Sequence, residues 1–148
     1  MKKILIPVAL LLALICAITG MAACGDRTPL PVEDMEWEFL TLQDKDGNVI
    51  CCAESNAELY PDAKVANAEV VLANNTVTLS VDGEQILSAA YTSVDKDGER
   101  TTIYSLAADN RDCRMVSSLA KTSSGTNLGA LLITVGENTY YFYAPLID

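Results

Sequence analysis

Histidine is absent from all 148 residues. With it go the Ser-His-Asp triad, the Cys-His pair and histidine-ligated zinc. No nucleophile motif or phosphate-binding loop stands in for them, so a non-catalytic role without cofactor or metal is expected. Basic residues are also scarce, 10 Lys and Arg against 20 Asp and Glu. The acidity that results repels nucleic acid and anionic headgroups, and neither is expected as a partner. Long apolar runs are lacking too. The longest, Ile4 to Ile18, is about 15 residues, short of the roughly 20 that a spanning helix needs.

What that run does fit is a secretory signal. Lys2 and Lys3 precede it, and Met21-Ala22-Ala23-Cys24 follows with small residues ahead of a cysteine, the order in which signals are read and cut. The alternative is a retained N-terminal anchor helix. Cys16 serves as an internal control, because Leu14 and Ile15 before it are too large for cleavage. The segment resembles the lipoprotein signal of bacteria, with Met21 where leucine is usual. That resemblance implies removal of residues 1–23, acylation of Cys24, and a domain held by membrane lipid at the extracytoplasmic face of the cell membrane. Two or more acyl chains, at about 0.8 kcal/mol per buried methylene, anchor far more firmly than one. Loss of Lys2 and Lys3 with the signal takes the net charge from -10 to -12.

Residues 24–36 read as the lipidated terminus and a flexible tether, since Asp26, Arg27, Pro29, Pro31, Glu33 and Asp34 show no apolar period and proline favours extended backbone. Residues 37–148 read as one domain. Thr76-Val77-Thr78-Leu79-Ser80-Val81 alternates strictly, and Asp82-Gly83 follows it, the pattern of a half-buried strand and a hairpin turn. Asn74-Asn75 closes the run from Glu69 to Ala73 in the same way. Further strands are expected over Trp37–Leu42, Asn48–Cys52, Gln85–Val94, Arg100–Ala107, Cys113–Ala120, Asn127–Val135 and Thr139–Ala144. Nine runs with turn residues between them predict an all-β antiparallel meander, closing as a barrel or, alternatively, a β-sandwich. Ala57 to Ala68 is the one stretch with room for a helical turn.

Asp44-Lys45-Asp46-Gly47 and Asp95-Lys96-Asp97-Gly98 invite a calcium reading. An EF-hand loop needs a further ligand two residues before the first Asp and a glutamate six after the glycine. The chain offers Leu42 with Ala53 and Ser93 with Tyr104, so hairpin turns are expected at both places.

Trp37, Asp46-Gly47, the span from Val70 to Leu79, Tyr91, Tyr104 and Tyr140-Tyr141-Phe142-Tyr143 together resemble the small lipocalin-like lipoprotein domains of bacterial envelopes. Ala89-Ala90-Tyr91 departs from the Gly-x-Tyr common on the middle strand. The resemblance implies a calycin-type barrel, and a fold of that kind does not by itself imply a ligand.

Two functions therefore stand open. One is a binding module for a small apolar ligand or saccharide. The other is a structural lipoprotein whose filled barrel contacts another envelope protein. Ser88, Ala90, Ser105 and Ala107 are read as interior positions, and their small size leans towards a cavity. Aromatic rings on both faces of the last strand make one pair core and leave the other as a contact surface. Tyr91, Tyr141 and Tyr143 are the candidate binding residues, and on that reading serine at 141 and 143 abolishes binding with little change in melting temperature. Cys113 is expected to bridge Cys51 or Cys52, since extracytoplasmic thiols oxidise and only one of two adjacent strand residues can face inward. Such a loop of about 60 residues would stabilise by roughly 4 kcal/mol. A Cys51-Cys52 vicinal bridge and three unbridged thiols are the alternatives.

Overall fold

The computed structural model describes residues 30–96, 101–108 and 112–146. Among them no α-helix forms. Ten strands run in chain order: β1 (Glu38–Gln43), β2 (Val49–Cys52), β3 (Lys64–Val65), β4 (Ala68–Ala73), β5 (Thr76–Val81), β6 (Glu84–Lys96), β7 (Thr102–Ala107), β8 (Cys113–Lys121), β9 (Asn127–Val135) and β10 (Asn138–Pro145). All nine expected strands are present. The added one, β3, is too short to show a period, and it pairs parallel with β2. Single 3-10 turns at Val32–Asp34 and Glu54–Asn56 fall outside the stretch expected to hold a helical turn.

Turn chemistry sets the meander. Asn74 and Asn75 have φ of 52° and 57°, and Asp82 and Gly83 have 49° and 84°, the paired left-handed conformations that suit the twist of a two-residue hairpin. In the β1–β2 turn, Asp44 Oδ1 accepts from the Asp46 and Asn48 amides, each at 2.9 Å. The carboxylate therefore replaces backbone partners in a turn, as expected there. At the second Asp-Lys-Asp-Gly, Asp95 and Lys96 are instead the end of β6, paired with Ile103 and Thr102. Asp97 and Gly98 lie outside the described residues.

The strand order is β3-β2-β1-β10-β9-β8-β7-β6-β5-β4. First and last strands of the chain thus pair, through β1 and β10, and the sheet curls into a half-barrel with β3 and β4 at its ends. Leu42, Leu79, Leu87, Met115, Ile133 and Phe142 converge on the inner face as one cluster. The small positions face the other way: Ser88, Ala90, Ser105 and Ala107 are exposed. The interior is filled by large side chains.

The chain expected to be a spacer is docked from Leu30 onward. Leu30 and Val32 are buried in the inner cluster, and the Trp37 indole N–H donates to the Val32 carbonyl at 2.9 Å. This N-terminal strap rests on β9. A Cβ at Gly129 would run into the Met35 side chain and stand 3.1 Å from the Trp37 ring, so glycine is what lets both lie against the strand.

A second cluster covers the opposite face of β1, β10 and β9, with Leu40, Ala130 and Tyr143 buried in it. Thr41 belongs to this doubly covered strand. It is 0% exposed, and its hydroxyl has no partner among the described residues. An unpaired buried hydroxyl costs more than an apolar isostere. Thr41→Val is therefore expected to raise unfolding free energy by about 1 kcal/mol, read from urea denaturation; a loss would place a bound water or an undescribed partner on that oxygen.

Candidate functional site

A hollow of about 660 Å³ opens at one end of the half-barrel, between the β4–β5 turn and strands β6 and β7. Asn74, Asn75 and Thr76 line one side, and Thr92, Ser93 and Thr102 another, with Tyr91 and Tyr104 between them and Val32 of the strap at the edge. The two tyrosine rings meet edge to face, centroids 5.3 Å apart at 85°. That is a favoured arrangement for aromatic quadrupoles. Register explains the convergence, because the Tyr91 amide donates to the Asn75 carbonyl at 2.8 Å while Tyr104 lies on the neighbouring strand opposite Ser93.

Glu33 ties these parts together. One oxygen, Oε1, accepts from the Tyr91 hydroxyl at 2.6 Å and from the Asn75 amide at 2.8 Å. Strap, turn and strand are thus joined at one atom. These hydrogen bonds, the Tyr91 one first, hold the Glu33 carboxyl below its ordinary range. The Tyr91 phenol is pushed the other way, by burial first and then by the hydrogen bond to Glu33. It is a committed donor at neutral pH, not a proton acceptor.

Tyr141 and Tyr143 belong elsewhere. Tyr140 and Phe142 are core, whereas Tyr141 and Tyr143 pack with the outer cluster. Tyr91 therefore shares no site with them. Tyr143 is itself buried and its hydroxyl donates to the Glu38 carboxylate across the β1–β10 pair. It is not a free contact surface, which corrects the expectation for that residue.

The cysteines also sort by face. Cys51 and Cys113 border the inner cluster, and Cys52 is fully buried on the opposite side of β2. Cys51 and Cys52 are both free thiols, so neither the expected bridge to Cys113 nor the vicinal alternative forms. The reason is distance along the sheet. Four strand steps separate β2 from β8, about 19 Å at 4.8 Å per step, against a Cα separation of roughly 4.4–6.8 Å for a disulfide. Burial raises both thiols above their ordinary pKa, which keeps them protonated and poorly reactive. Cys24 lies outside the described residues.

Sequence reasoning missed Glu33 and Val32 by placing them in a tether. It saw Asn74 and Asn75 only as a turn. The one available signal was Leu30 and Val32, two apolar residues set among prolines and acids.

The arrangement defines an all-β half-barrel with a polar, aromatic-floored hollow at its mouth. No family model, no curated protein and no solved structure matches the chain.

The tyrosines provide a pH test. Burial, followed by a carboxylate partner, raises the pKa of both Tyr91 and Tyr143. A raised phenol pKa stabilises the fold fully below the unfolded value, about 10, and that contribution is lost as pH rises further, since the unfolded chain ionises first. Melting temperature is expected to fall from about pH 10 upward, and to fall less in the Tyr91→Phe, Tyr143→Phe double variant. Equal slopes in both proteins would contradict the assignment.

Proposed function

We propose that this chain is a lipid-anchored, extracytoplasmic, lipocalin-like head that acts by binding a small ligand and not by catalysis. The observation that carries the reading is the hollow. Its volume of about 660 Å³ falls within the roughly 300–1,000 Å³ of small-molecule sites, and hydrogen-bonding side chains surround an aromatic floor. With the inner face filled by large side chains, the reading puts the ligand at the mouth and not in a lipocalin-style central cavity. That filling also favours the second reading, a rigid head that contacts another envelope protein.

Native mass spectrometry of the full chain purified from its host separates the two. A retained small molecule, displaced in Ser93→Trp, would support binding at the mouth. Retention at equal occupancy in that variant would move the site elsewhere. A co-purifying protein with no small molecule would favour the structural head.

The anchor is tested independently. A fatty-acid probe fed to cells is expected to label the wild type and not Cys24→Ala. Equal labelling of both would remove the lipid anchor.

A further inference from the structure

We infer that the ligand of the mouth is a neutral saccharide, seated against Tyr104 and Tyr91 and hydrogen-bonded by Asn74, Asn75 and Ser93. The inference rests on the hollow being the binding site, and it follows from what that site offers each class of ligand.

Among the described residues, no charged side chain lines the hollow. An anionic ligand would approach a chain of net charge -10, so the field of the whole molecule opposes it. A metal or organic cation needs a carboxylate, and among the described residues the one bonded to the hollow's wall, on Glu33, already holds Tyr91 and Asn75 through Oε1. A wholly apolar ligand would strip water from the side-chain amides of Asn74 and Asn75 and the hydroxyl of Ser93 without replacing it, a loss paid at each polar group. A neutral sugar satisfies the same groups. Its hydroxyls donate and accept, as amides and hydroxyls do, and its C–H face packs on tyrosine, which joins apolar area to a polar tip.

The strap adds order to this site. Through Glu33 it fixes the Asn75 backbone and the Tyr91 ring before any ligand arrives, which reduces the entropy lost on binding. Glu33 is thus a positioning residue. It is not among the residues that line the hollow, and it acts through the bonds it accepts from Tyr91 and Asn75.

The experiment uses the full chain in nonionic detergent micelles, with amide NMR shifts of Asn75, Thr76, Thr92 and Thr102 followed on adding cellobiose, maltotriose and chitotriose. Sodium glucuronate and sodium octanoate form the comparison arms. At least one neutral sugar is expected to shift all four amides saturably, with neither comparison ligand doing so. Asn75→Gly keeps the left-handed turn while removing the side-chain amide, and Ser93→Ala removes the hydroxyl beside Tyr91. Together they are expected to weaken binding about tenfold with an unchanged melting temperature. Glu33→Gln is expected to weaken it less, and to broaden the Asn75 and Tyr91 amides in the free protein.

Shifts at the four amides with octanoate or glucuronate alone would overturn the neutral saccharide and keep the hollow as the site. No saturable shift from any of the five ligands would overturn both.

Discussion

Phe142→Ala is expected to cost about 4 kcal/mol, close to the upper end for a core aromatic. Phe142 is 1% exposed and lies on β10, which pairs with β1 on one side and β9 on the other. Its partners in register are Phe39 and Leu131, and its ring sits 5.7 Å from that of Phe39, tilted by 56°. Removal would open a void under the pairing that joins the first strand of the chain to the last. With domain stabilities of roughly 5–15 kcal/mol, such a loss leaves little margin. Phe142→Leu keeps most of the volume and is expected to cost about half as much. Urea denaturation of the full chain in detergent reads both, and a loss below about 1 kcal/mol for alanine would show that the ring is not buried as described.

Local signals in the sequence map onto the fold closely because each depends on neighbours in the chain. The alternation from Thr76 to Val81 needs only one wet face, and Asn74-Asn75 and Asp82-Gly83 need only residues that tolerate positive φ. Long-range features were less legible. Both faces of β1 are covered, from Phe39 to Gln43, because strands β10, β9 and the loop bearing Tyr60 meet there, and no period in the strand itself reveals that. The strap was hidden in the same way, its burial depending on a glycine almost a hundred residues later. One error was avoidable. Leu87, Ala89 and Tyr91 share a face, and the two large residues fix it as the buried one, so Ser88 and Ala90 between them had to point outward. The same holds for Tyr104 against Ser105. The cysteines failed for another reason: facing the same interior is necessary for a bridge, but four intervening strand steps are not visible until the order of strands is known.

Tyr143→Ser is expected to cost about 3 kcal/mol, the loss of a large packed side chain together with its hydrogen bond. The reading of Tyr141 and Tyr143 as one surface pair predicts almost no change, so this variant separates the two accounts sharply. Tyr143 is 8% exposed and packs among Leu40, Leu128 and Ala130, small or branched residues that leave room for one ring. Its hydroxyl reaches Glu38, the residue directly opposite on β1. Serine would leave the ring's volume empty on the outer face of the two strands that join the ends of the sheet, and would leave Glu38 without its donor. Tyr143→Phe isolates the second part and is expected to cost about 1 kcal/mol, the ordinary net worth of a hydrogen bond. Tyr141 is half-buried, so Tyr141→Ser is expected to cost only about 1 kcal/mol. Amide shifts at Asn75 and Thr92 should stay unchanged in all three variants, since the mouth lies on other strands. A melting temperature unchanged in Tyr143→Ser would dissolve the outer cluster and return Tyr143 to the surface; shifts at Asn75 in the same variant would show that the two sites communicate through the sheet.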